Sequence, residues 1–244
     1  MKTGAGSPKP SGFLQHLFGP APTTGAKLVQ RYSRQARWLH WVNAGAWTAL
    51  FITGLFLFVP EFGPAAMAGW SRLFHRIGAG IMVGWTLQYF LVDPKGSLRG
   101  LKSALAWGRR DLGWLVAAPS YYFAGKEEKM PPQHHMNTGQ KIWWLYVIAA
   151  GVLMIITGFL MWIRDVLPSS AFLWTVFVHD VGFIVLLCFA LIHIYLSVVH
   201  PLMRGVFWSM WRGSISAKYA KSHHAQWYEE ISGEETEAEE PHQD

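Results

Sequence analysis

A chain of 244 residues that is 51% hydrophobic, with 14 Trp and a mean hydropathy of +0.17, is too apolar for an ordinary soluble domain and falls in the membrane class. Its single cysteine, Cys188, excludes an internal disulfide, and the absence of any C-x-x-C-H excludes covalent c-type haem. No cysteine cluster is present to hold zinc or iron–sulfur, so a redox metal would have to be held by histidine.

The first 37 residues are basic and broken up by Gly, Pro and Ser. They carry no apolar run followed by a small-residue cleavage site, so residues 1–30 are expected to form a flexible cytoplasmic extension and the first apolar stretch a retained span. Four segments approach the roughly 20 residues needed to cross hydrocarbon: about 38–59, 73–92, 142–163 and 174–199. Backbone groups in lipid must be satisfied internally, which makes each of them helical. The fold expected is an all-α integral membrane protein, a four-transmembrane-helix bundle spanning residues 31–228. Trp and Tyr gather at the ends of these segments, at Trp38, Trp41, Trp143, Trp144, Tyr146, Trp162 and Trp174, as in interfacial belts. Between the second and third spans, "SLRGLKSALAWGRRDLGW" sets Leu98, Leu101, Leu105 and Leu112 at helical spacing among basic residues. That pattern predicts an interfacial amphipathic helix. The segment 229–244 is acidic and predicts a disordered tail. No internal repeat of fixed period is evident.

Charge orients the bundle. Residues 1–37, the 93–141 connection and the chain after 200 hold 18 of the 21 Lys and Arg, whereas the 60–72 and 164–173 loops hold one each. The positive-inside rule puts both termini in the cytoplasm. Because the basic residues then serve topology, the net charge of +6 gives no reason to expect nucleic acid.

Ionisable residues inside a span are costly and are read first as functional. Of the 11 histidines, His16, His134, His135, His223, His224 and His242 fall outside the spans and read as solvated. The others are His40, His75, His179, His193 and His200. Orientation puts His75 and His179 near the outer side and His40 near the inner side. His193 follows His179 by 14 residues, roughly 21 Å further along the helix and on nearly the same face. Two pairs at matched depths suit two bis-His haems in a bundle core. A proton relay is the rival, supported by Asp180 beside His179; zinc lacks the Cys or acidic ligands it favours. His200 has no partner at its depth and precedes Pro201, so it reads as interfacial. Arg76 could neutralise an anionic substituent or reach the outer headgroups. The "HHMNTGQK" segment also fits a plain helix cap, with Asn137 or Thr138 as N-cap.

The motifs "RWLHW" (37–41), "RLFHRIGAG" (72–80), "NTGQK" (137–141), "HDVGFIVLLCFALIHIY" (179–195) and "AKSHHAQWYEEI" (220–231) appear in order over residues 31–231. In these the chain resembles the gamma (cytochrome b556) membrane subunit of respiratory formate dehydrogenase. The resemblance implies two non-covalent haem b groups, with His75 and His179 on the outer one and His40 and His193 on the inner one. It also implies a quinone site at Asn137 and Gly139, with Gln140 adjacent and His193 contributing, for menaquinone or ubiquinone. The implied partners are an iron–sulfur (beta) subunit and a molybdenum or tungsten catalytic (alpha) subunit, in the bacterial inner membrane. Electrons would enter from the outer side and reduce quinone at the cytoplasmic side. Cytochrome b subunits of hydrogenases or sulfur-compound reductases are the related alternative. A haem-free membrane anchor or proton pathway is the alternative of another class.

Overall fold

The computed structural model describes residues 26–62, 69–203 and 205–239. The elements in chain order are β1 (Leu28–Gln30), α1 (Arg34–Phe58), α2 (Trp70–Val92), α3 (Pro94–Leu105), α4 (Arg109–Ala124), α5 (Thr138–Trp162), α6 (Ser169–Ile194), α7 (Gly205–Arg212), β2 (Ser214–Ser216), α8 (Ala217–His223) and α9 (Ala225–Glu239). Residues 1–25 of the expected extension, residues 63–68 of the expected first outer loop and the last residues of the expected acidic tail, 240–244, lie outside the described residues.

The four long helices coincide with the four expected spans to within a few residues. Three of them, Arg34–Phe58, Thr138–Trp162 and Ser169–Val199, are long and apolar enough to cross a membrane. The second, α2, has the length but carries Arg72, His75, Arg76 and Gln88. Their outer faces present Ile52, Ile81, Ile155, Phe177 and Ile192 to the surroundings, as helices solvated by hydrocarbon do. α1 packs along α2, and α5 along α6. The two hairpins meet more sparsely, α1 against α6.

Local chemistry sets the helix starts. Ser33 Oγ accepts from the Ala36 N–H at 3.1 Å to open α1. Asp93 Oδ1 accepts from the Gly96 N–H at 2.9 Å, with Pro94 at the first helical position, to open α3. The amphipathic segment after the second span is two helices, not one. The chain leaves helical geometry at Ala106–Gly108 and restarts where Asp111 Oδ2 accepts the Gly108 N–H at 2.9 Å. A glycine followed three residues later by a capping carboxylate favours that break over continuation.

Below the long helices the chain builds a second small core. β1 and β2 pair antiparallel, with Val29 opposite Ile215, and those two residues bury against Ala220 and Trp227. β1 therefore falls at the end of the expected N-terminal extension, and α9 runs on into the acidic stretch for which composition suggests disorder. The C-terminal motif that contains Trp227 is thereby structural. It closes a cap over the start of α5, where the Gln226 N–H donates to Gln133 O at 3.1 Å.

Candidate cofactor site

The packing of α1 and α2 against α6 brings the expected histidines together in pairs. The His75 and His179 rings lie 6.3 Å apart between centroids, and those of His40 and His193 lie 6.5 Å apart. A metal bonded on opposite sides by two imidazole nitrogens at about 2.0 Å separates ring centroids by about 6 Å. Among the described residues no group of three or more His, Cys, Asp or Glu is placed to hold a metal ion. Among the described residues each donor set is two imidazole rings with no third protein ligand, which fits a metal that brings ligands of its own better than a tetrahedral protein-only site. Small residues line the outer pair. A Cβ on Gly54 would stand 3.6 Å from His75 Cε1 and 3.3 Å from Phe183 Cε2, and one on Gly158 would stand 3.4 Å from His179 Cε1. With the sparse contact between the two hairpins, these observations fit a flat group held between facing histidines.

Each outer histidine is fixed by a threonine. Thr53 Oγ1 donates to Ala49 O at 2.6 Å and lies 2.9 Å from His75 Nδ1. Thr157 Oγ1 donates to Leu153 O at 2.8 Å and lies 2.8 Å from His179 Nδ1. The hydroxyl has one proton, and the preceding turn takes it. The ring must then donate from Nδ1, which leaves the Nε2 lone pair free for a metal.

These contacts expose an internal repeat that the linear reading does not find. Thr53 and His75 are separated by 22 residues, as are Thr157 and His179, and the second set follows the first at an offset of 104 residues. "ITG" at 52–54 returns at 156–158, and H-x-x-G at 75–78 returns at 179–182. The packing repeats as well: a Cβ on Gly78 would meet Leu50, and one on Gly182 would meet Met154, at the same offset. So few identities over so long an interval escape a search for a period.

The inner pair is built differently. His193 stacks on Trp143 at 4.4 Å with the planes 5° apart, and His40 stands edge-on to Trp41 at 4.9 Å. Trp41 Nε1 donates to Met210 O at 3.0 Å, tying α1 to α7. Two residues after His193 the helix widens into a π segment, Tyr195–Val199, whose ring closes from the His200 N–H to Tyr195 O at 2.9 Å. His200 is 5% exposed, and its Nε2 lies 3.1 Å from Tyr122 O. It is a buried tie between that segment and α4. Arg76 lies over the Trp162 ring at 5.2 Å.

Asn137, Gly139 and Gln140 sit together at the start of α5. Asn137 Oδ1 accepts the Gln140 N–H at 2.9 Å, and Gln140 Oε1 accepts the Asn137 N–H at 3.1 Å, a reciprocal capping box. Arg31 Nη2 also donates to Gln140 Oε1 at 3.2 Å. A Cβ on Gly139 would meet Trp114 Cη2 at 2.9 Å, so the glycine is needed for close packing. His193 meets α5 at Trp143, about 9 Å along the helix axis from Asn137. Thr138 and Lys141 of the same motif reach Asp111 Oδ1 at 2.7 and 2.8 Å. Burial by itself would raise the Asp111 carboxyl, but the hydrogen bonds from Lys141, Thr138 and the Gly108 N–H hold it below the usual range.

Of the histidines expected to be solvated, His224 is buried in the cap and His135 is partly buried there. His135 Nε2 lies 3.1 Å from Arg31 O, and His224 Nδ1 lies 2.8 Å from His134 O. Burial, then the Arg31 charge, lowers His135 to about 4 and His224 well below its ordinary value. Both are neutral when folded, whereas the unfolded imidazole takes a proton below about 6.5. The cap is therefore fully stable above about pH 6.5 and loses stability as the pH falls toward about 4. Hydrogen exchange on segments 130–140 and 220–231 should show protection dropping over that window; a flat profile would contradict the assignment.

A family model described as prokaryotic cytochrome b561 matches residues 31–213. The chain is 24% identical over 224 residues to the cytochrome b556(Fdn) subunit of nitrate-inducible formate dehydrogenase from Escherichia coli, covering 88% of this chain and 96% of that protein. It is 22% identical over 215 residues to the formate dehydrogenase cytochrome b556(fdo) subunit of the same organism, covering 83% and 93%. It is 23% identical over 209 residues to the formate dehydrogenase cytochrome b556 subunit of Haemophilus influenzae, covering 83% of each chain.

Proposed function

The chain belongs to the prokaryotic cytochrome b561 family, and from that premise we propose that it is the di-haem cytochrome b subunit of a membrane-bound formate dehydrogenase. The observation that carries the proposal is the pair of facing imidazole sets at 6.3 and 6.5 Å, at two depths of one bundle. The names of the curated relatives support formate as the upstream substrate. His75 and His179 hold the outer group, and His40 and His193 the inner one. When bound, two haem b groups supply one-electron carriers stacked across the bilayer, between an iron–sulfur subunit outside and quinone at the cytoplasmic side.

What the chain itself does is bind, orient and insulate. α2 completes the set of four spans despite its charges, because His75 and Arg76 both find partners, at Thr53 and Trp162. Both termini and the α3–α4 connection lie on the cytoplasmic side of the inner membrane, by the distribution of Lys and Arg. There α3 rests on the bilayer surface with Leu98 and Leu105 exposed. Quinone, menaquinone or ubiquinone, docks where α5 begins. Asn137 uses Oδ1 for the cap, which leaves its Nδ2–H as a donor to a quinone carbonyl, with Gly139, Gln140 and His193 completing the site.

The test is a dithionite-reduced minus oxidised absorbance spectrum of the purified complex, with haem extracted and counted. A b-type spectrum with two haems per chain is the expected result. A haem-free preparation would leave a membrane anchor or proton pathway as the function. Co-purification of hydrogenase or sulfur-compound reductase subunits in place of formate dehydrogenase subunits would reassign the substrate.

A further inference from the structure

Thr53 and Thr157 occupy equivalent positions of the two hairpins, and each touches one ring of the His75–His179 pair. Both are buried, at 9% and 5% exposed. Both direct their hydroxyl proton to the preceding turn, to Ala49 O at 2.6 Å and to Leu153 O at 2.8 Å. Both leave the oxygen to receive Nδ1–H of a histidine, at 2.9 and 2.8 Å. A threonine in a helix bonds its own preceding turn routinely, so the carbonyl bond alone carries no message. The addition of a partly buried imidazole at the same atom, twice, across two different helix pairs, has no such routine origin. Among the described residues no hydroxyl plays this part at the inner pair, where Trp41 and Trp143 stand against the rings.

We infer that Thr53 and Thr157 are positioning residues for the outer haem, fixing the tautomer and rotation of His75 and His179 and lowering the potential of that haem. The inference rests on the proposed function above. An acceptor on Nδ1–H makes the ring a stronger donor through Nε2, and a stronger donor favours the oxidised, more highly charged metal. The hydroxyl is a better acceptor because it donates to a carbonyl at the same time. The two bonds act from opposite faces of one site, so their effects run in the same direction.

The experiment is optical redox titration and ferric EPR of the assembled complex in membranes, for wild type, Thr53→Val, Thr157→Val and the corresponding serine variants. Valine keeps the shape and removes the hydroxyl, whereas serine keeps the hydroxyl. His75→Ala identifies the outer component as the one it removes. Each valine variant is expected to shift the oxidised-to-reduced ratio of the outer component about tenfold toward reduced, a rise of about 59 mV, and to alter its EPR signal. The inner component should stay in place, and the serine variants should match wild type. Loss of the outer haem in the valine variants with recovery in the serine variants also supports the inference. Loss in both means that packing, not the hydroxyl, is required, and overturns it. An unmoved outer component, or a shift of the inner one instead, overturns it while the functional reading stands. A wild type without two haem components overturns both.

Discussion

Replacing His193 with alanine is expected to remove one of two haems per chain and to bring quinone reduction down by more than about 100-fold. That exceeds the roughly 10–100-fold effect of losing a partner one shell further out, because a direct ligand disappears. His193 is the residue through which three features meet: it faces His40 at 6.5 Å, stacks on Trp143 at 4.4 Å, and ends α6 just before the π segment. Without it His40 loses the imidazole that faces it. His75→Ala should remove the other haem and leave the inner spectrum in place, since the two pairs share no side chain. His134→Ala is the control: that ring is about half exposed, bonds Glu230 at 2.8 Å, and should leave haem content unchanged. Haem extracted per chain and quinone reduction in membranes, measured together, check the prediction. Two haems retained in His193→Ala would remove it as a ligand.

Asp111→Ala is expected to destabilise the cap by about 3–5 kcal/mol while leaving haem content intact. The Asp111 and Lys141 side chains are 7% and 10% exposed, and their charged atoms lie 2.8 Å apart. Removing the carboxylate strands the Lys141 ammonium with Ala106 O, at 2.6 Å, as its remaining partner. The Gly108 N–H loses its acceptor as well, and Thr138 Oγ1 keeps only Gln133 Oε1, at 3.2 Å. The cost comes from a buried charge left uncompensated rather than from the strength of the pair. Asp111→Leu combined with Lys141→Met should therefore recover most of the loss, short of the α4 cap worth about 1 kcal/mol. Thermal unfolding in detergent and protease sensitivity over residues 109–141 would report both variants. A single variant as stable as wild type would contradict the burial argument, and a double variant no better than the single would place the loss in the cap alone.

The two expectations differ in how far the sequence could support them. His193 stands out in the sequence because a polar ring in an apolar helix is conspicuous, and because 14 residues from His179 is a near-integral number of turns. Asp111 does not stand out at all. An acid amid basic residues in a polar connection looks solvated, and only the return of α5 past the start of α4 buries it. His135 and His224 are the same case. Their burial comes from β1 pairing with β2 and Trp227 closing over the cap, contacts between segments far apart in the chain. Asn137 was legible both as a cap and as a quinone ligand; the capping box in the structure uses one atom of its carboxamide and leaves the other for the proposed ligand.

The sequence by itself determined the four long helices and their order, and it set the expected direction of each, the expected depth of each histidine within them and the side of the membrane on which each end is proposed to lie. These follow from hydropathy, helical rise and charge, which are properties of one segment at a time. Only the tertiary structure decided which ring faces which, that Thr53 and Thr157 hold the outer pair, that the amphipathic connection is two helices, and that the polar ends of the chain form a buried cap. Those facts depend on the rotation of each helix about its axis and on contacts across separations such as 22 and 104 residues. No local period encodes such contacts, so they become visible only when the hairpins are packed.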